Sequence, residues 1–110
     1  MSWRDRNPTR RRPEAALPLP VERACDRLIE AADRGEDACA VAWADLVDAH
    51  ADHPGSPAPP WDAAHDMLES KLGEGGADHV KARAWLLLRA RGETTWGKVR
   101  AVLRRALAAT

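Results

Sequence analysis

Apolar positions recur at helical spacing along this chain, most regularly near its C-terminal end. Trp96, Val99, Val102, Leu103, Ala106 and Leu107 keep the i, i+3, i+4, i+7 rhythm of one helix face. At about 100° per residue they fill an arc of roughly 140°, and Lys98, Arg100, Arg104 and Arg105 fill the opposite one. Gly92 separates this helix from the one before it, and a Thr of Glu93-Thr94-Thr95 is placed to act as its N-cap. In the preceding helix Val80, Ala84, Leu87 and Leu88 form a stripe, while Trp85 and Leu86 point elsewhere. The apolar run Ala84 to Leu88 cannot face a single neighbour. This helix is therefore expected either to sit centrally, which is favoured, or to carry an interface at Trp85 and Leu86.

Upstream, a first helix is predicted from about Pro20 to Arg34. Proline suits the first turn, Glu22 suits the positive N-terminal end, and Gly35 suits the C′ position. Val21, Cys25, Leu28, Ile29 and Ala32 are its core stripe. A second helix starts near Glu36-Asp37 and stops before Pro54. It is apolar along Cys39, Trp43, Leu46, Val47 and His50, with Asp45, Asp48 and Asp52 mostly off that stripe. Residues 53–60, HPGSPAPP, hold four prolines and form an extended spacer. The third helix, Pro60 to Leu72, places Trp61, Ala64, Leu68 and Leu72 inward, and Gly73-Glu74-Gly75-Gly76 ends it. The expected fold is an all-α compact bundle of about five helices. Residues 19–110 form one domain, because neither side of the spacer is large enough to bury a good core alone. Residues 1–18 read as a flexible basic arm, rich in Pro and Arg and lacking apolar periodicity.

Composition supports helices over strands. Phe and Tyr are absent, Ala is abundant, and no run alternates. No apolar stretch approaches the roughly 18 residues of a membrane span, and no apolar segment follows the N-terminal arginines as in a signal peptide. A cytoplasmic protein that engages no membrane is expected. Charge alters the picture more. The formal net charge of zero conceals +3 over residues 1–20, −9 over 21–70 and +6 over 71–110. No carboxylate follows Glu93. Such segregation points to an anionic partner for one end, or to head-to-tail self-association of acidic on basic surface.

Catalytic and cofactor chemistry finds little footing. Gly92-Glu93-Thr94-Thr95-Trp96-Gly97-Lys98 has the spacing of a phosphate-binding loop, but Val99 stands where Ser or Thr must hold magnesium, and a helix precedes it where a strand should. A milder version remains, in which Thr94, Thr95, Lys98 and the free N–H groups of a helix start hold one phosphate. Such an anion would relieve the placement of Lys98 near a positive helix end. His50-x-x-His53 is followed at once by Pro54 and has no second ligand pair, so no metal site is expected. His65 and Glu69, one turn apart, suit a surface contact. Cys25 and Cys39 sit on apolar stripes and read as buried free thiols. Ser2, Ser56 and Ser70 have no placed His partner. Neither an enzyme nor a cofactor is expected.

Residues 80–105, with their pattern ARAWLLLRARGETTWGKVRAVL, resemble the first two helices of a helix-turn-helix domain. The five residues that remain supply no third, recognition helix to enter a major groove. In size, all-helical pattern and basic patch, residues 19–108 are similar to the small subunits of multi-subunit CRISPR effector complexes. That resemblance implies a catalytically inert bundle that stacks along the complex and contacts guide or target nucleic acid through Lys and Arg.

The expected function is therefore a non-catalytic binder of an RNA or single-stranded DNA backbone, working among other protein subunits of a ribonucleoprotein assembly. Lys98, Arg100, Arg104 and Arg105 are the principal expected contacts. Arg83, Arg89, Arg91 and the Arg10, Arg11 and Arg12 run aid them, with Trp3 available to stack. The alternative is a protein–protein adaptor or inhibitor. Its acidic 21–70 surface, including Asp45, Asp48 and Asp52, would meet a basic partner or imitate nucleic acid.

Overall fold

Proline and glycine set the helix boundaries. The computed structural model describes residues 16–108, which form five helices with no strand among the described residues: α1 (Leu19–Ala31), α2 (Glu36–Ala51), α3 (Trp61–Leu72), α4 (Gly76–Ala90) and α5 (Glu93–Ala108). The all-α bundle read from the periodicity is the fold. No described helix is long and apolar enough to cross a membrane. The arm expected over 1–18 falls mostly outside the described residues. Of its end, Leu17 packs against the core and the Pro18 carbonyl accepts the Glu22 N–H at 2.9 Å.

α1 stops three residues before the expected Arg34. Residues 32–34 instead close a tight turn, in which Asp33 N–H donates to Glu30 O at 3.3 Å and Arg34 N–H to Ala31 O at 2.8 Å. Gly35, at φ 103, then serves as N-cap of α2 rather than C′ of α1. A connection this short folds α1 and α2 into an antiparallel hairpin.

α2 is the hub. Cys39, Ala40, Ala42, Trp43, Ala44 and Leu46 are all buried, more than one face can hold. Its small side chains let α1 and α4 approach closely without the aromatic bulk of Phe or Tyr. α4 buries Val80, Ala84 and Leu88 and packs against α2, α3 and α5. That resolves the five-residue apolar run: Ala84 and Leu88 enter the core, Trp85 meets Trp96 edge-on at 5.8 Å, and Leu86 stays 69% exposed.

α3 reaches the bundle through Ala64 and Leu68, both buried, and through Trp61, whose ring lies 5.4 Å from that of Trp43. Its link to α4 depends on Gly76. A Cβ there would come within 2.6 Å of the Leu72 Cβ, so only glycine lets the two helix ends meet this closely. Glu69 adds a second tie: its Oε2 accepts the Ala77 N–H at 3.2 Å, supplying a partner to a donor at the start of α4. That backbone donor holds the Glu69 carboxyl below its ordinary pKa.

α5 begins at Glu93, so Thr94 and Thr95 lie inside its first turn and neither is the N-cap. Gly92 at φ 108 makes the reversal itself, and its carbonyl accepts the Trp96 N–H at 3.0 Å. Only the first half of the α5 stripe reaches the core. Val99 is buried and Val102 half-buried, whereas Leu103 is 40% and Leu107 75% exposed. The bundle ends before the amphipathic pattern does.

Leu28, Leu46, Leu68 and Leu88 are the largest fully buried side chains. Leu88→Ala is expected to cost about 2–5 kcal/mol in urea denaturation through lost burial and a residual cavity. Leu86→Ala, two residues away and solvated, should stay within about 0.5 kcal/mol of the native value.

Candidate nucleic-acid interface

The cations of α4 and α5 divide into two groups that the helical wheel alone does not separate. On one flank they are neutralised within the chain. Arg91 donates through Nη2 to Asp45 Oδ1 at 2.6 Å and through Nη1 to Asp48 Oδ2 at 3.1 Å. Lys98 Nζ lies 2.5 Å from Asp48 Oδ1 and 2.7 Å from Asp52 Oδ1. Asp48 thus bridges a cation from the end of α4 and one from the start of α5. Arg83 pairs with Glu36 and Asp37 at the start of α2, and Lys71 with Asp33 at 2.9 Å. Arg105 reaches the Pro54 carbonyl of the proline spacer at 3.4 Å.

Every ion pair in this set joins a base from residues 71–110 to an acid from residues 21–70. The acidic and basic halves of the sequence therefore face each other inside one molecule. Asp45, Asp48 and Asp52, expected at an interface, line the contact of α2 with the α4–α5 hairpin. Lys98 needs no bound anion at the α5 N-terminus, because Asp48 and Asp52 are already there. Burial works against its charge, but hydrogen bonds and attraction from these two carboxylates outweigh it and raise its pKa above the ordinary 10.5.

The other flank is different. Arg100 and Arg104 are exposed and make no ion pair or hydrogen bond among the described residues. They stand one turn apart, and Arg100 stands one turn beyond Trp96, all on neighbouring positions of the helix. Arg89 of α4 lies over the Trp96 ring with its guanidinium carbon 5.3 Å from the centroid. Arg89 thus lies on one half-buried indole, and Arg100 and Arg104 follow it one and two turns further along α5. Trp85 meets that indole edge-on. Arg10, Arg11 and Arg12 lie outside the described residues.

A second feature was not singled out by the sequence. A cavity of about 420 Å³ opens between α2, α3, α4 and α5. Trp43, Trp61 and Trp85 line it, and Val99 and Val102 bring α5 to its wall. Its members are scattered over the chain, but the restriction of aromatics to Trp, with indoles on α2, α3 and α4, was the available signal. Some titratable groups elsewhere have structural partners. His53 Nδ1 lies 3.0 Å from Ala49 O. Cys39 donates to Ala31 O at 3.3 Å, and burial raises its thiol pKa. Cys25 and Cys39 are buried and not joined in a disulfide. No cluster of three or more His, Cys, Asp or Glu suited to a metal occurs among the described residues.

No protein-family model matches this chain, and neither the curated proteins nor the solved structures include one similar to it.

Asp48→Asn is expected to lower stability by about 1 kcal/mol at low ionic strength, since it weakens a partly shielded network of two cations. The deficit should shrink in 1 M salt as screening takes over. Because the folded pKa of Lys98 is raised, its contribution is complete below 10.5 and fades as pH climbs through the higher folded value. Urea melts of the two proteins should therefore draw closer in strong alkali without coinciding, because Arg91 keeps its charge and its pair with Asp48.

Proposed function

We propose that this protein is a cytoplasmic, non-catalytic helical subunit that binds the backbone of a single-stranded nucleic acid through Arg89, Arg100 and Arg104 together with Trp96. The observation that carries the reading is the isolation of Arg100 and Arg104 from every described carboxylate. The chain places acids against Arg83, Arg91 and Lys98, while α5 has no acid beyond Glu93. Unpaired guanidinium groups suit phosphate oxygens, and an indole one turn before Arg100 suits a stacked base. Recognition would be of backbone and not sequence. Arg83, Arg91 and Lys98, already paired, fall to a secondary role, and the Arg10 to Arg12 segment would add charge. A stacked small subunit of a ribonucleoprotein, of the kind found in multi-subunit CRISPR effector complexes, is the assembly this reading names.

A protein–protein adaptor is the second reading, and the solvated apolar end of α5 at Leu103 and Leu107 favours it. In its acidic form, with Asp45, Asp48 and Asp52 meeting a basic partner, those residues would first have to release Arg91 and Lys98.

Fluorescence anisotropy with a labelled single-stranded RNA separates the two. Three phosphate contacts predict an affinity that falls with log salt at a slope of about −2. Arg100→Glu with Arg104→Glu should weaken binding at least about tenfold with circular dichroism unchanged, whereas Arg83→Glu should change it little. A flat salt response, or equal loss from Arg83→Glu, removes the nucleic-acid reading.

A further inference from the structure

The cavity beneath α5 has a chemistry of its own. About 420 Å³ is within the range of small-molecule sites. Its wall is mostly Val, Ala, Leu and indole, and no Asp or Glu lines it, although the chain has 17 of them. The side-chain heteroatoms that do line it belong to three tryptophans, His50 and Lys81. All are nitrogens and none is an oxygen acceptor: the indoles and the Lys81 ammonium only donate, and a neutral His50 has one donating and one accepting nitrogen.

Lys81 is the outlier among the lysines of the bundle. Lys71 and Lys98 each hold a carboxylate, but Lys81 has no ion pair among the described residues. Its Nζ lies 2.7 Å from His65 Nδ1 and 5.5 Å above the centre of the Trp43 ring. His50 stands edge-on to Trp61 at 6.1 Å. Its Nδ1 is buried and finds no hydrogen-bond partner among the described residues. Burial lowers the His50 pKa below 6.5, so the imidazole is neutral at pH 7 and offers one N–H.

We propose that this cavity binds a small aromatic monocarboxylate, its rings among Trp43, Trp61 and Trp85 and its carboxylate taken by Lys81 and His50. Flat rings match the indole walls by offset or edge contacts. One negative charge answers the one cation that the fold leaves without a carboxylate here, and its second oxygen accepts from His50. A cationic ligand would meet the like charge of Lys81 and no carboxylate in the wall. Ala106 lines the rim and is itself exposed, so the mouth can be filled there without entering the core.

Isothermal titration of the full chain with 2-naphthylacetate, and with the neutral 2-naphthylacetamide, tests the assignment. The acid should bind at least about tenfold more tightly than the amide. Lys81→Met should bring the acid down to the level of the amide, while Lys81→Arg retains the preference. Ala106→Trp should abolish binding of both with helicity and Tm preserved. Arg100→Glu with Arg104→Glu should leave acid binding intact, which keeps this result separate from that of the polyanion face. Equal affinity for acid and amide, no binding of either, or binding indifferent to Ala106→Trp would each overturn the proposal. So would a dimer dissociated by Ala106→Trp without any preference for the acid, which would give the groove to a second copy of the chain.

Discussion

One acidic flank of α2, set against cations from α4 and α5, ties the C-terminal hairpin to the rest of the bundle. Apolar packing alone holds α5 weakly, since Val99 is its one buried side chain. Asp48 compensates by joining Arg91 and Lys98 across the turn between the two helices. Each pair, partly solvated, contributes little singly. Their value is geometric: opposite charges at matched positions fix how far the hairpin slides along α2, a register that alanine-rich packing leaves poorly specified.

That arrangement divides the basic surface by chemistry. Cations on the α2 side are consumed in holding the fold. Arg100 and Arg104 stay available, and Arg89 lies on Trp96. A count of Lys and Arg over 71–110 overstates what can meet a polyanion, because four of those residues answer acids of the same chain. The net charge of zero acquires a structural meaning in this way: it is partly an internal balance between α2 and its neighbours.

The helices were legible because their punctuation is local. Pro18, Gly35, Pro60, Gly73 and Gly92 mark ends through backbone sterics that need no tertiary knowledge. The stripes of α1, α2 and α3 likewise predicted which side chains would turn inward, although Ile29, Val47, His50, Trp61 and Leu72 are only half-buried. Two things were not legible. Where a neighbour stops is invisible in a helical wheel, so Leu103 and Leu107 read as core when the bundle ends beside them. Which acid meets which base depends on helix placement over separations of some forty residues, so Asp45 and Arg91 read as surface charges awaiting partners. The indole cavity was hidden for the same reason, since its walls come from four helices. The α5 start was misplaced by a residue or two because Gly92, with its positive φ, performs the turn that a capping threonine was expected to make.

The absence of Phe and Tyr has a spectroscopic consequence. Near-ultraviolet absorption and emission of the folded protein arise from indole alone. Three of the four described tryptophans border the cavity, and the fourth carries Arg89 on its face. Intrinsic fluorescence is therefore a native reporter of both surfaces, without tyrosine background or an added dye. The Arg89 cation beside Trp96 and the partly solvated ring of Trp85 give the two regions different polarity, so their emission maxima and accessibility to iodide will differ.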